Sequence, residues 1–381
     1  MKYLAILGRI PELSVAELTA LFGDSVRKIG RELAVFEAPE RGSIGAPNID
    51  RLGGVLKLGY LLDDTALDYL RNLPGGKITL GVSDYSRGAS AHSAGREAMK
   101  LKKILVRHGR NVRVLANKDA ALSTATCHHN QLGKKAKHVE LLIVGSETYL
   151  SIGTQNITAY ARRDQARPAR DAYVGMLPPK LAQILINLCG DLPSESRILD
   201  PFCGSGVVLQ EALIMGYHAY GTDLSEKMVG YSQRNLKWLT KAFDRTLSQK
   251  MSACPFEVFQ GDATSFEWKE PIDAVACETY LGPPMSNLPS EVKLKAVKQE
   301  CREIILGFLK NISGQLESGT PLCLATPAWL RPDGGYSSLN ILDEIEGLRY
   351  NVEKHNNLGS SLLYHREGQI VAREIIVLRK K

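Results

Sequence analysis

An α/β fold is predicted for the C-terminal half of the chain, a mainly parallel sheet ended by an antiparallel hairpin, with an α+β region ahead of it. Three observations predict it. First, Ile198-Leu199-Asp200 is a short apolar run ending in an acid, followed by Gly204-Ser205-Gly206 and a helix-compatible stretch. That is the strand, tight turn and helix N-terminus that carries nucleotide-like ligands in doubly wound sheets. Second, two further strand-like runs, 218–223 and 256–262, also end in acids, Asp223 and Asp262. Third, the runs 362–369 and 370–378 flank Gly368 and read as a terminal hairpin.

Taken in order, the first seventy residues suggest a small α+β module. Residues 3–7 are strand-like, and 11–23 read as an amphipathic helix. Pro11 suits its first turn, Leu13, Ala16, Leu18, Leu21 and Phe22 form its apolar stripe, and Gly23 stops it. Strand-like pieces follow at 33–36 and 58–62. From Lys77 the alternation resumes in a more basic form. A strand at 78–83 precedes a helix at 94–108 that carries Arg96, Lys100, Lys102, Lys103 and Arg107. A strand at 111–115, a helix at 121–132, a basic turn at 133–137 and a hairpin from 139–144 and 149–154 complete it. Residues 159–171 are a polar, arginine-rich connector.

The next segment, 174–188, is an apolar helix begun by Pro178-Pro179 with Gly175 in the loop before it. It either covers one end of a bound ligand or is a plain packing helix. After the three acid-ended strands come strands at 272–277 and 321–325. Between them 291–312 is a long helix with an apolar face through Leu294, Val297, Ile304, Ile305 and Phe308. The expected division is 1–70, a ferredoxin-like α+β module; 71–158, a basic α+β domain; 159–172, a linker; and 173–381, a Rossmann-like domain.

Charge separates the two halves. The net charge of +7 comprises +9 up to Asp171 and −2 after it, and residues 77–137 hold 13 basic against 3 acidic side chains. A basic half joined to a mildly acidic one suggests that the former holds a polyanion; a basic face that only solubilises the domain is the other reading. Seven cysteines without a C-x-x-C pair point to free thiols in a reducing cytoplasm. No apolar run is long enough to span a bilayer, and the first residues read as a strand rather than a leader. Cys127-His128-His129 with His138 lacks paired zinc-ligand spacing, so no metal is expected.

The acids narrow the ligand. A carboxylate at Asp200 would repel a pyrophosphate, and Leu209 stands where a dinucleotide fingerprint has its third glycine. A cationic ligand such as S-adenosylmethionine, with its ammonium and sulfonium, suits the site better. Asp223 is placed to accept ribose hydroxyls, and Asp262 to accept from an adenine amino group. The expected cofactor set is Asp200, Phe202, Gly204, Gly206, Asp223, Leu224, Asp262 and Ala263, with Gly175 and Pro178 contributing. The competing reading is an α/β sheet with merely solvated acidic loops.

These residues resemble the THUMP-containing tRNA guanosine N2-methyltransferases, which modify guanosine 10 of tRNA, over nearly the whole chain. The resemblance rests on 4–9 followed by Pro11-Glu12-Leu13-Ser14, the basic stretch, and Arg163-Asp164-Gln165-Ala166-Arg167-Pro168. It continues with Gly175-Met176-Leu177-Pro178-Pro179-Lys180-Leu181-Ala182 and Asp200-Pro201-Phe202-Cys203-Gly204-Ser205-Gly206. It implies S-adenosylmethionine as methyl donor, a THUMP-type RNA-binding region gripping tRNA, and a Rossmann-like methyltransferase domain. The RNA contacts then expected are Arg96, Lys100, Lys103, Lys134, Lys135 and Lys137.

The chain departs from the family in the catalytic motif. Where such enzymes carry Asp-Pro-Pro-Tyr, this one has Glu278-Thr279-Tyr280-Leu281, followed by Gly282-Pro283-Pro284. A frame on Pro283-Pro284 would put Gly282 at the acid and Met285 at the aromatic, losing both functions. Glu278 is therefore the expected catalytic acceptor, with Tyr280 replacing the lost aromatic. The expected activity is methylation of an exocyclic nitrogen, guanine N2, in tRNA. A DNA or other RNA amino-methyltransferase and a catalytically decayed tRNA-binding protein are the rivals. The sequence leaves the oligomeric state open, with a monomer the expectation.

Overall fold

The computed structural model describes residues 1–171, 176–242, 251, 254–269, 271–285, 287–353 and 362–381. The chain divides into two compact units, Met1–Ala159 and Tyr160–Lys381.

The first unit is built on one eight-stranded sheet. Its strands are β1 (Lys2–Leu7), β2 (Arg27–Lys28), β3 (Leu33–Glu37), β4 (Val55–Leu61), β5 (Ile78–Asp84), β6 (Val112–Val114), β7 (His138–Val144) and β8 (Glu147–Thr154). They lie in the order β2-β3-β1-β4-β8-β7-β5-β6. The stretches 1–70 and 71–158 share this sheet because β4 pairs antiparallel with β8. The helix Ala91–Arg107 starts three residues earlier than its apolar pattern suggests. Ser90 and Ser93 exchange side-chain-to-backbone bonds as a capping box, with serine in place of the usual Glu or Gln. Its buried residues, Ala94, Ala98, Leu101 and Leu105, form one stripe against Ile78, Leu80, Val82, Val139 and Leu141. Its basic side chains Arg96, Lys100 and Lys103 are thereby left exposed. The helix expected over 121–132 is only Thr124–His129. Ser123 caps it by accepting from the Thr126 N–H, and Gln131 at φ 54° ends it.

The second unit carries β9 (Arg197–Asp200), β10 (His218–Asp223), β11 (Phe256–Gln260), β12 (Ala274–Glu278), β13 (Pro321–Leu330), β14 (Tyr336–Ser337), β15 (Tyr350–Val352), β16 (Leu362–Tyr364) and β17 (Val371–Lys380). The order is β11-β10-β9-β12-β13-β17-β15, with β14 on β13 and β16 on β17. From β11 to β13 all pairs are parallel, while β17 runs antiparallel to β13, β15 and β16. Strand order turns back between β9 and β12, and ligands in such sheets bind outside the carboxyl ends at that point. Asp200 and Glu278 are the last residues of those two strands.

The helix Glu291–Ser313 packs on this sheet through Val297, Cys301, Ile305, Phe308 and Ile312. Two residues of the expected face, Leu294 and Ile304, are only half-buried. Strand β12 starts two residues later than expected; ahead of it Asp273 is tied to Arg197, its N–H donating to Arg197 O at 3.1 Å and its carboxylate accepting from the Arg197 N–H at 2.6 Å. All seven cysteines are buried thiols. Among the described residues no helix is long and apolar enough to cross a membrane.

Candidate active site

Asp200 is 3% exposed at the end of β9, its Oδ1 accepting from the Phe202 N–H at 3.1 Å. Burial pushes its carboxyl well above the usual range, against that one hydrogen bond, and the charges of Asp223 and Glu278 push the same way. The loop after it folds tightly. Cys203 N–H donates to Thr222 O, and Gly206 N–H to Cys203 O. Gly206, at φ 83°, is the left-handed residue that starts the helix Val207–Met215, and a Cβ there would lie 2.6 Å from Ser232 Oγ.

The helix Glu226–Ala242, which the sequence analysis did not single out, fixes this loop. Ser232 Oγ donates to Gly204 O at 2.9 Å, and Asn235 Nδ2 donates to Ser205 O at 2.9 Å. Asn235 also exchanges bonds with the backbone of Ala169 in both directions. At the end of β10, Asp223 accepts from Gly204 N–H at 2.8 Å through Oδ2 and from Ser225 N–H at 2.9 Å through Oδ1. Burial still raises its carboxyl pKa, with those two bonds opposing. Leu224, beside it, is 71% exposed, an apolar surface next to the acid.

Leu209 fills the space that a third glycine would leave open. The room comes from the neighbouring strand, where a Cβ on Gly221 would meet Leu209 Cδ1 at 2.6 Å and Cys203 Cβ at 3.2 Å. Asp262 follows β11, its Oδ1 accepting from Thr264 N–H and Thr264 Oγ1. Ala263 packs into the core with its carbonyl taken by Asn311, and Phe202 lies edge-on to Phe308. Pro178 is the N-cap of the helix Pro179–Leu188; Gly175 lies outside the described residues.

Two arginines of the connector are buried in this unit. Arg163 Nε donates to Glu211 Oε1 at 2.7 Å, under the helix Val207–Met215. Arg167 reaches Ser205 Oγ and Met176 Sδ, both at 3.3 Å, and desolvation lowers its pKa.

Glu278 ends β12 with its carboxyl mostly buried. Its Oε1 accepts from Arg373 Nε, on β17, at 2.7 Å. Burial raises its pKa, with Arg373 the main opposing influence. Tyr280 is half-buried against the same core, its hydroxyl 3.4 Å from Glu300 Oε1. The fold thus gathers Asp200, Gly204, Gly206, Asp223 and Glu278 at the carboxyl ends of β9, β10 and β12, with Asp262 beyond β11. The residues expected to contact RNA all belong to the first unit. Arg96, Lys103 and Lys135 are exposed, Lys100 pairs with Glu97 at 3.5 Å, Lys134 with Asp50 at 3.7 Å, and Lys137 Nζ donates to Gly75 O at 2.8 Å. Cys127, His128 and His138 turn to Glu140, Thr158 and Asn130 O respectively.

The family model described as RMKL-like, methyltransferase domain matches residues 167–278, the span from Arg167 to Glu278. A tRNA (guanine(10)-N2)-dimethyltransferase of Pyrococcus abyssi is 30% identical over 280 residues, 69% of this chain and 77% of that protein. The chain belongs to the tRNA (guanine(10)-N2)-dimethyltransferase family. Its counterpart from Methanothermobacter thermautotrophicus is 29% identical over 199 residues, so the match spans about half the length of that relative, 51%, and 51% of this chain. The crystal structure of TrmN from Thermus thermophilus aligns over 100% of both chains at 20% identity with a TM-score of 0.46. The matched span is a methyltransferase domain, and S-adenosylmethionine is the cofactor expected there from the sequence.

The residues fit that cofactor on their own chemistry. Asp200, Asp223 and Glu278 are three carboxyls with raised pKa values at the ends of neighbouring strands, and Arg373 is the single cation bonded to them among the described residues. A ligand bearing an ammonium and a sulfonium supplies the positive charge they lack.

Proposed function

We propose that this chain transfers the methyl group of S-adenosylmethionine to the exocyclic N2 of a guanosine in tRNA, at position 10 as in the relatives named above. The observation that carries the reading is the placement of Asp200 and Glu278 at the ends of adjacent parallel strands, β9 and β12, where the strand order turns back. The bound cofactor supplies an electrophilic methyl on a sulfonium. Asp223 accepts from the ribose diol, using the lone pairs that Gly204 and Ser225 leave open. Asp262 would accept from the adenine amino group, and the exposed Leu224 would supply apolar surface beside it.

Glu278 acts on the nucleophile. The guanine N2 lone pair is delocalised into the ring, so the amine is a poor nucleophile. A carboxylate accepting one N–H concentrates density on nitrogen and stabilises the positive charge that develops there. Tyr280 would offer its ring to the base, which requires it to give up its long bond to Glu300. The basic residues of the first unit, Arg96, Lys103 and Lys135 above all, meet tRNA phosphates.

The test is incubation of the protein with an unmodified tRNA transcript and S-adenosylmethionine, followed by mass spectrometry of the nucleosides. Methylated N2-guanosine at one position supports the reading, and the spectrum separates one methylation from two. Glu278→Gln keeps the shape and loses the charge, so single-turnover transfer should fall by about 10²-fold or more with both ligands still bound. Modification of another base, or near-normal turnover in Glu278→Gln, overturns the assignment.

A further inference from the structure

Arg373 belongs to a different part of the chain from every residue expected at the site, 95 positions beyond Glu278. The sheet brings the two together. Glu278 lies opposite Ala325 on β13, and Ala325 lies opposite Ile375 on β17. Arg373 is two residues from Ile375 and so projects from the same face as Glu278. Ala325 is small, which lets the arginine reach across β13 on the diagonal.

The contact is made through one edge of the guanidinium, by Nε alone. Arg373 Nε donates to Glu278 Oε1, while Nη1 reaches Gln369 Oε1 at 3.3 Å and Val371 O at 3.4 Å. Arg373 is 5% exposed, so the guanidinium is held on one side by its own strand and on the other by Glu278. Oε2 of Glu278 has no hydrogen-bond partner among the described residues. A bidentate pair would have consumed both oxygens. This geometry fixes one and leaves the second to face a ligand.

The arrangement answers the departure from Asp-Pro-Pro-Tyr. A glutamate has one more rotatable bond than an aspartate, and an unrestrained arm blurs the position of its acceptor oxygen. A fixed donor at Oε1 removes that freedom. We propose that Arg373 is the positioning residue for Glu278, fixing the longer carboxylate at one oxygen so that the other receives the N–H of the exocyclic amine. Arg373 touches neither substrate nor cofactor in this account. The inference rests on the reading of Glu278 given above.

Four groups face Glu278 electrostatically: Arg373 and Arg366 from the terminal hairpin, which favour its ionised form, Asp200 on β9, and Cys277, its neighbour on β12. Removing Arg373 leaves the burial opposed by Arg366, so Glu278 would ionise at a higher pH.

The experiment measures single-turnover methyl transfer on a tRNA transcript at saturating S-adenosylmethionine, between about pH 5.5 and 9, for wild type, Arg373→Gln, Arg373→Lys, Glu278→Gln and the double Gln variant. For Arg373→Gln the rate at neutral pH should fall by roughly 10- to 100-fold, and the acid limb should move up by about one pH unit or more. Arg373→Lys, which keeps the charge, should hold the limb near its original position. The double variant should be no slower than Glu278→Gln alone, because Arg373 acts only through the carboxylate. A pH-independent loss in Arg373→Gln, or a double variant slower than Glu278→Gln, overturns the positioning role. If Arg373→Gln does not fold, Arg373→Lys still decides, because it keeps the charge and loses the Nε donor: a slowed rate with an unmoved limb supports the positioning role, and a wild-type rate refutes it. Should Glu278→Gln itself turn over normally, the reading of Glu278 falls and the inference with it; slow Glu278→Gln with an unmoved limb in Arg373→Gln removes Arg373 alone.

Discussion

Asp200 is held where a carboxylate is costly. Its one bonded donor, the Phe202 N–H, does not offset complete burial, and two further acids stand near it. An acid whose pKa is higher folded than unfolded binds its proton more tightly in the folded chain. Stability then falls as pH rises from the unfolded carboxylate range, about 3.9, through the raised folded value, and the cost is absent below that range. Asp200→Asn keeps an acceptor for Phe202 and removes the charge. At neutral pH it should raise the melting temperature of the cofactor-free protein and flatten this part of its pH dependence, while weakening S-adenosylmethionine binding about tenfold or more. Scanning calorimetry across pH and titration calorimetry read the two effects. A lowered melting temperature at neutral pH would show that Asp200 is a structural acid rather than one kept for a cationic ligand. Asp200 and Asp223 were legible as strand ends because each is a local feature, a run ending in a carboxylate, whereas Asp262 falls two residues beyond the end of β11. Arg373 was not legible, since only the pairing of β12, β13 and β17 brings it to Glu278.

At the scale of elements, the glycine loop depends on a helix and a strand that its own sequence does not reveal. Gly206 is readable as a turn glycine, but Ser232 and Asn235 sit more than twenty residues away on the helix Glu226–Ala242, and their bonds to Gly204 O and Ser205 O are tertiary. The bulk of Leu209 has the same kind of explanation, because Gly221 on β10 supplies the space. The two residues should therefore behave as one fitted pair. Gly221→Ala overpacks the contact and should cost about 1–3 kcal/mol; Leu209→Ala opens a cavity and should cost about 2–5 kcal/mol. Combined, they should cost clearly less than the sum, because the added methyl occupies part of the vacated volume. Urea unfolding of the four proteins measures this, and additive losses would contradict the fit. The helix boundaries that differed from their patterns did so at caps: Ser90 with Ser93 lengthened one helix, while Ser123 and Gln131 shortened another.

At the scale of the whole chain, the charge asymmetry visible in the sequence takes a definite form in the first unit. The stripe of buried residues on the helix Ala91–Arg107 leaves its basic side chains outward, so a hydrophobic period dictates where the charge goes. The sequence could not say which cations are already engaged. Lys100, Lys134 and Lys137 have protein partners, an acid for the first two and the Gly75 carbonyl for the third, whereas Arg96, Lys103 and Lys135 make no ion pair among the described residues. A cation that must leave a partner gains less from a phosphate than one that is only hydrated, although surface pairs are individually weak. Each phosphate contact releases counterions and steepens the fall of log affinity with log salt by about 0.7–0.9. Replacing Arg96, Lys103 and Lys135 together with alanine should therefore reduce the salt slope of tRNA binding by about two to three. Replacing Lys100, Lys134 and Lys137 should reduce it by less, and neither set should alter S-adenosylmethionine affinity. Filter binding of the full chain to tRNA between about 50 and 200 mM salt distinguishes the two triple variants. Equal slopes in all three proteins would mean that these basic residues are only solvated, and that tRNA is gripped elsewhere on the molecule.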